Sequence, residues 1–291
     1  SAAITANALT KNERAMSQAM ERLSTGQRIN SASDDAAGLA IASRMTSQIN
    51  GLNMAVRNTN DAISMVQTAD GAMVEIESML QRMRELAIQS KTETNSSTDR
   101  TALNTEYMAL AAEIERVAQN TQFNGTDILD TTPGSGGSVT FQVGANASQT
   151  VAVDFGDVTQ ASGSFAAFLT GGSAGTTAAV IGGDKSKFDT DLSGDVTTAY
   201  INTAIGAIDT AITAVNSQRA TFGASINRLE YTADNLASVS QNTSASRSRV
   251  MDADYASETT ELARTQIIQQ AATAMLSQAN QQAQSVLALL R

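Results

Sequence analysis

Apolar side chains in the first third of the chain recur at alternating steps of four and three residues. The series spans about six heptads and is interrupted at Thr59 and Asp70. Its members are Met45, Ile49, Leu52, Val56, Ile63, Val66, Met73, Ile76, Leu80, Met83 and Ala87. A mean period of about 3.5 residues is typical of helices that pack in coiled coils. The pattern predicts one helix over residues 36–90, and the S-x-x-D spacing of Ser31 and Asp34 predicts a capping box at its start.

Two further segments repeat this period. The first follows residues 96–99, which offer helix caps, and we expect it to fold back against the long helix. The second is about 50 residues long, similar to the long helix, and is interrupted at Arg219 and Ala233. Their apolar positions are Leu103, Tyr107, Leu110, Ile114 and Val117, and then Ile201, Ile205, Ile208, Ile212, Val215, Phe222, Ile226, Leu229 and Leu236. The chain is therefore predicted to be mainly α, with long antiparallel coiled-coil helices from both chain ends.

The outermost segments carry sparser apolar stripes. Residues 11–23 offer Met16, Met20 and Leu23, and residues 262–290 mix Ala and Gln with scattered apolar side chains. Those side chains are Leu262, Ile267, Ile268, Met275, Leu276, Val286, Leu287, Leu289 and Leu290. An isolated helix with a small apolar face is marginal in water. We expect these ends to fray in the isolated chain or to be ordered by neighbouring copies; the alternative is that both pack on their own chain's helices.

The middle of the chain changes to a period of two. Asn124-Gly125 is a tight-turn signal, and two runs on either side of residues 144–146 then alternate apolar with polar side chains. Their apolar positions are Val139, Phe141 and Val143, followed by Val151, Val153 and Phe155. We expect a β-hairpin laid on the helices. Residues 161–196, which are rich in Gly, Ser and Thr, are expected to form a short variable surface insert.

Three glycines, Gly38, Gly51 and Gly71, lie within the predicted long helix. A glycine inside a helix costs about 1 kcal/mol relative to alanine. Each is either simply tolerated or marks a close backbone approach between packed elements, and the sequence leaves both interpretations open.

Composition excludes several classes of function. The 291 residues include no Cys and no His, so Cys–His and Ser–His–Asp nucleophile systems, disulfides and structural zinc are excluded, and no catalytic or cofactor site is predicted. The formal charge is −10, without a basic stripe for nucleic acid. No apolar run reaches the roughly 18 to 20 residues that span a bilayer, and no secretory signal is recognisable at the start. Export would need another route.

One segment begins like a calcium-binding loop. Asp189, Asp191 and Ser193 stand at the first, third and fifth positions, and a glycine stands at the sixth. The twelfth position is Tyr200, where such loops carry Glu. We therefore predict a plain acidic turn and no metal, with these three residues as the only weak metal candidate.

Several sequence motifs along the chain are more specific than the helical and strand periods. They are ERLSTGQRINSASDDAAGLAIA at residues 21–42, NDAISMVQTADGA at 60–72, LQRMRELAIQ at 80–89, TQFNG at 121–125, QVGAN at 142–146, SRSRVMDADY at 246–255 and SVLALLR at 285–291. In this order the strings closely resemble those of bacterial flagellins, over roughly residues 1–160 and 197–291. Flagellins usually begin several residues earlier, and the sequence does not tell whether Ser1 is the natural start.

The resemblance implies a structural subunit that polymerises into the flagellar filament for motility, and not an enzyme. It places residues 1–35 and 251–291 in an inner-core helical domain, and residues 36–160 and 197–250 in an outer-core domain with the insert facing solvent. The ends would order only on assembly. The alternative function is a cell-surface, flagellin-like module that binds glycans or a receptor.

The resemblance also implies partners and contact residues. Partners are further copies of the chain, an export chaperone, the type III export apparatus, filament cap and junction proteins, and a vertebrate innate immune receptor; the location is extracellular. Arg82, Leu86 and Glu113 match the outer-core surface through which flagellins meet other subunits and that receptor. The inner-core assembly and chaperone contacts are placed on Leu262, Ile268, Met275, Leu276, Leu287 and Leu290.

Overall fold

A computed structural model of the protein describes residues 2–129, 134, 137–156 and 196–289. Within them the helices are α1 (Ala2–Thr25), α2 (Ala36–Ser90), α3 (Ser97–Asn120), α4 (Val196–Met251) and α5 (Tyr255–Leu289). The strands are β1 (Gln122–Phe123), β2 (Thr126–Asp127), β3 (Ser138–Gln142) and β4 (Thr150–Asp154). The prediction of a mainly α fold is confirmed, and α2 has the predicted bounds.

The chain forms two compact units. One combines Ser1–Asn50 with Ser238–Arg291, and the other is Gly51–Ala237. The first contains α1, α5, the start of α2 and the end of α4. The second contains the rest of α2 and α4, together with α3 and the strands.

The core of the Gly51–Ala237 unit lies between α2, α3, α4 and the β3–β4 hairpin. Its largest fully buried side chains include Met73, Ile76, Leu80 and Met83 of α2, Ile114 of α3, Phe222 of α4, and Phe155 after β4. The rings of Phe155 and Phe222 lie 5.7 Å apart, centre to centre. Each such burial stabilises the fold by about 1.5–3 kcal/mol. From Ile63 onward, the alternating steps of four and three in α2 therefore mark the side that faces this core.

The two polar residues that interrupt the apolar pattern of α2 both form hydrogen bonds. Thr59 is fully buried, and its hydroxyl donates to the carbonyl of Ala55 at 2.7 Å. Asp70 accepts a hydrogen bond from Arg219, which is the charged interruption in α4, at 3.0 Å. One irregular position of α2 and one of α4, Asp70 and Arg219, thus meet within the unit.

The start of α2 differs from the prediction. Ser31 and Asp34 form no helix cap: the backbone N–H of Ser31 donates to the Asp34 carboxylate at 2.9 Å, which closes a tight turn before the helix. The cap is Asp35, whose carboxylate accepts from the N–H of Gly38 at 2.9 Å. The capping-box prediction at residues 31–34 is wrong because the S-x-x-D spacing suits a free-standing turn as well as a cap.

The predicted cap of α3 is confirmed. Asp99 N–H donates to the Ser96 hydroxyl oxygen at 3.2 Å, and Ser96 N–H donates to the Asp99 carboxylate at 3.0 Å. The Ser96 hydroxyl also donates to the Asp99 carboxylate at 2.6 Å, and this bond, followed by the one from the Ser96 backbone, lowers the pKa of Asp99 from its ordinary value. Both halves of a capping box are therefore present.

The strands form two antiparallel pairs, β1 with β2 and β3 with β4. In the second pair Val139 lies opposite Val153, and Phe141 opposite Val151. Val153 is buried against the helices. The tight turn between β1 and β2 has Asn124 at φ 51° and Gly125 at φ 79°. Both the hairpin and the Asn-Gly turn are confirmed.

Candidate assembly surfaces

Helices α1 and α5 pack on each other, which corresponds to the alternative interpretation of the chain ends. Their facing positions repeat at steps of three and four. They are Leu9, Asn12, Met16, Ala19 and Leu23 in α1, and Glu258, Leu262, Thr265, Gln269, Ala272 and Leu276 in α5. Most are only half-buried; among the described side chains of the two helices, only Asn12, Ala19 and Thr265 are buried. The pair therefore buries little apolar surface.

Polar contacts cross this seam at two levels. The Asn12 side chain donates to the backbone carbonyl of Thr265 at 2.8 Å. Arg22 donates to the Glu258 carboxylate at 3.0 Å, with 26% and 13% of their side chains exposed. A pair shielded to this extent is screened less by salt than a fully exposed one.

A short backbone pairing joins the segments beside this helix pair. Arg28 N–H donates to the carbonyl of Met251 at 2.6 Å, and Ala253 N–H donates to the carbonyl of Gly26 at 2.9 Å. Gly26 has φ 72°, which lets the chain leave α1 in the left-handed conformation. Ile29, next along the chain, is 1% exposed. The sequence pattern did not predict this pairing, since two or three residues carry no periodic signal.

The predicted contact residues of α5 divide into two groups. Leu262 and Leu276 are half-buried in the seam with α1, whereas Ile268 and Met275 are 41% and 64% exposed. Ile267, which was not chosen from the sequence as a contact residue, is 67% exposed. The side chain of Leu287 and the whole of Leu290 lie outside the described residues. These three exposed side chains, Ile267, Ile268 and Met275, lie outside the seam positions, and they are called the apolar face of α5 below.

The three outer-core residues matched by resemblance lie in different environments. Arg82 is exposed and is bound by Glu85 at 3.0 Å and Glu106 at 2.9 Å, and these contacts, the Glu85 hydrogen bond first, raise its pKa. Glu113 is also exposed, and hydrogen bonds from Arg116 lower its pKa.

Leu86 is 1% exposed and belongs to the hydrophobic core of its unit. It does not lie on the surface where the resemblance placed it, because its position continues the buried stripe of α2 after Met83. The surface presents Arg82 and Glu113, each held by separate partners.

Sequence reasoning missed a network of charges between α2 and α4. Arg219 donates to Asp70 at 3.0 Å and to Glu77 at 2.7 Å, while Arg84 donates to Asp209 at 2.6 Å. The available signal was the charged interruption of each apolar series. Neither series by itself shows that the two interruptions meet.

A shallow groove of about 460 Å³ lies beside the tip of the β3–β4 hairpin. Its lining includes Val143, Gln149, Asn235 and Leu236, and Tyr231 is its one aromatic residue. Ligand sites are usually enclosed and lined by several aromatic or apolar side chains. This groove gives no support to the glycan- or receptor-binding alternative.

The described residues contain no group of three or more acidic side chains that could hold a metal ion. The weak metal candidate, Asp189, Asp191 and Ser193, lies outside them. None of the helices, as far as they are described, combines the length and apolarity needed to cross a bilayer.

The chain matches two family models, the bacterial flagellin N-terminal helical region over residues 1–133 and the bacterial flagellin C-terminal helical region over residues 205–290. It is 46% identical to a flagellin of Halalkalibacterium halodurans, covering 94% of this chain and 91% of that one. It is 41% identical to a flagellin of Bacillus subtilis, covering 99% and 96%. A crystal structure of Bacillus cereus flagellin, at 34% identity, covers 62% of this chain and 88% of that one with a TM-score of 0.47.

Proposed function

The chain belongs to the bacterial flagellin family, and from this premise we propose how its described surfaces serve assembly. It is a structural subunit of the bacterial flagellar filament and not an enzyme. The proposal is that α1 and α5 form the inner-core part of each subunit, and that the apolar face of α5 is buried by neighbouring copies. The terminal helices become fully ordered in that step.

This proposal rests on the small number of buried side chains in α5 compared with the length of the helix. The helix has 35 residues, but among its described side chains only Thr265 is fully buried. Ile267 and Met275 are more than 60% exposed. Burying one such side chain stabilises an association by about 1.5–3 kcal/mol. Contact with a second copy therefore supplies the apolar burial that the isolated α1–α5 pair lacks.

The domain organisation that we propose rests on the family resemblance, and its boundaries differ from those of the two compact units. We assign residues 1–35 and 251–291 to the inner core, residues 36–160 and 197–250 to the outer core, and residues 161–196, of which only the last is described, to a solvent-facing insert. The fully buried side chains of α2, α3 and α4 support the assignment of a self-sufficient outer core.

The further partners rest on family membership. We propose that the flagellar type III apparatus exports the chain, that its export chaperone binds the apolar face of α5 before assembly, and that cap and junction proteins contact the assembled subunits. The final location is then the extracellular filament. We further propose that an innate immune receptor of a vertebrate host meets the surface carrying Arg82 and Glu113, whose exposure supports such contact.

The test is electron microscopy of the purified chain before and after addition of filament seeds or a precipitating salt, with circular dichroism recorded in parallel. Helical filaments with a gain in helicity are expected. Filaments that form without any gain in helicity would contradict the ordering of the ends. A chain that stays monomeric, in a preparation where a known flagellin polymerises, would contradict self-assembly of this chain as it stands.

A further inference from the structure

A polar side chain interrupts the apolar seam between α1 and α5. Asn12 is 8% exposed and lies on the same stripe as Leu9, Met16 and Ala19. Its side-chain amide donates to the backbone carbonyl of Thr265, 2.8 Å away. Coiled-coil seams usually carry an apolar residue at such a position, and a single Asn there lowers stability.

The hydrogen bond of Asn12 is made to a group that already has a partner. Thr265 lies inside α5, where each backbone carbonyl accepts from the N–H four residues further on. Replacing Asn12 with an apolar side chain therefore leaves no buried acceptor without a hydrogen bond. The stabilisation from the lost bond is modest, whereas an apolar side chain of similar size gains from burial.

The residue of α5 that lies opposite Asn12, Thr265, is also polar. Thr265 is 1% exposed, and its hydroxyl donates within its own helix, to the carbonyls of Glu261 and Leu262 at 2.9 Å. Both hydrogen bonds of this hydroxyl therefore stay within α5. The buried side chains described in this helix pair are thus an amide at Asn12, a hydroxyl at Thr265 and the small side chain of Ala19, with no large apolar group among them.

We propose that Asn12 is a stability-limiting residue that keeps the α1–α5 pair marginal in the unassembled chain. The pair then orders fully only when other copies cover the exposed apolar face of α5. This inference rests on the proposed function, and it names the residue that makes ordering of the ends conditional on assembly.

The test compares Asn12→Leu with Asn7→Leu in the full-length chain. Asn7 lies on the exposed side of α1, so its replacement makes the same chemical change outside the seam. Asn12→Met is the second variant, because an unbranched side chain fits where Leu is too wide. Helicity and its thermal transition are measured in the unpolymerised chain, and the critical concentration is measured in seeded polymerisation.

For at least one Asn12 variant we expect higher helicity, a transition at higher temperature and a critical concentration lower by about five-fold. Asn7→Leu should behave like the unmodified chain. The inference is overturned when neither Asn12 variant exceeds Asn7→Leu in helicity and transition temperature. Failure of the unmodified chain to polymerise would instead contradict the proposed function, and the measurements on the unpolymerised chain would still decide the role of Asn12.

Discussion

At the scale of single residues, the glycines of α2 show how one residue type serves different ends. A side-chain Cβ at Gly38 would lie 2.6 Å from Ile29 Cδ1 and 2.5 Å from the Asp35 carboxylate. At Gly51 it would lie 3.1 Å from the Cβ of Ala145, whereas at Gly71 it would meet nothing within 4 Å. Close approach thus explains Gly38 and Gly51, and Gly71 is simply tolerated.

Gly38→Ala and Gly71→Ala should change stability in opposite directions. Gly38→Ala forces Ile29 and the Asp35 cap to move, so we expect a loss of about 1–3 kcal/mol in the free energy of unfolding of its unit. Gly71→Ala only reduces the backbone entropy that the chain loses on folding. It should therefore raise the free energy of unfolding of the other unit by up to about 1 kcal/mol. Urea unfolding of each variant, followed by circular dichroism and compared with the unmodified chain, measures both. Equal effects of the two changes would contradict the role of close packing at Gly38.

At the scale of elements, each helix of the Gly51–Ala237 unit combines an apolar stripe with a few polar contacts that position it. The capping box sets the start of α3, and the Arg219 network joins α4 to α2. Arg219 is one-third exposed, so solvent weakens these ion pairs. The network contributes mainly to alignment, and apolar burial supplies most of the stability.

Asp99→Asn should destabilise α3 in a pH-dependent way. The folded state lowers the pKa of Asp99 through its hydrogen bonds with Ser96, so their contribution is fully present above the unfolded-state pKa and is lost as the pH falls through the folded-state pKa. We expect the variant to be less stable than the unmodified chain at pH 7 and equal to it at a pH below both values.

Urea unfolding at the two pH values checks this prediction. Glu93→Gln is the control, because it removes the same charge from an exposed side chain just before the cap. An Asp99→Asn deficit that does not shrink in acid would mean that the carboxylate charge plays no part in the cap.

Arg219→Met should lower the stability of the Gly51–Ala237 unit by about 1 kcal/mol, because Asp70 and Glu77 both lose their partner. Arg228→Met is the matched control, since Arg228 is exposed on the same helix. A double-mutant cycle with Asp70→Asn isolates the pairwise interaction. A coupling energy of zero would mean that the two interruptions are adjacent without stabilising each other.

At the scale of the whole molecule, the buried side chains are distributed unevenly along the chain. The Gly51–Ala237 unit contains nearly all the large buried side chains that are described, while α1 and α5 leave Met20, Ile267 and Met275 exposed. Apolar surface of this kind is commonly part of an interface. The same chain therefore contains a well-buried unit and a pair of helices whose exposed apolar side chains are available for contact with other copies.

Combined replacement of Ile267 and Met275 with Ser should weaken filament formation without unfolding the chain. Both side chains are exposed, so we expect urea unfolding of the unpolymerised chain to change little. The critical concentration should rise at least about ten-fold, from the apolar burial lost in contacts between copies. Sedimentation of seeded mixtures measures it, with Gln270→Ser as an exposed control on the same helix. An unchanged critical concentration would mean that Ile267 and Met275 do not form the contact between copies.

The sequence by itself determined the helices, the hairpin and the family, because heptad steps, two-residue alternation and ordered motifs are local signals that the chain carries without its contacts. The tertiary structure decided which positions meet. It pairs Asp70 with Arg219, places Asn12 against Thr265, moves the cap of α2 to Asp35 and buries Leu86. Each of these depends on a neighbour distant in sequence or on the local backbone path. A periodic pattern shows that a residue faces a seam, but not which side chain or carbonyl lies opposite.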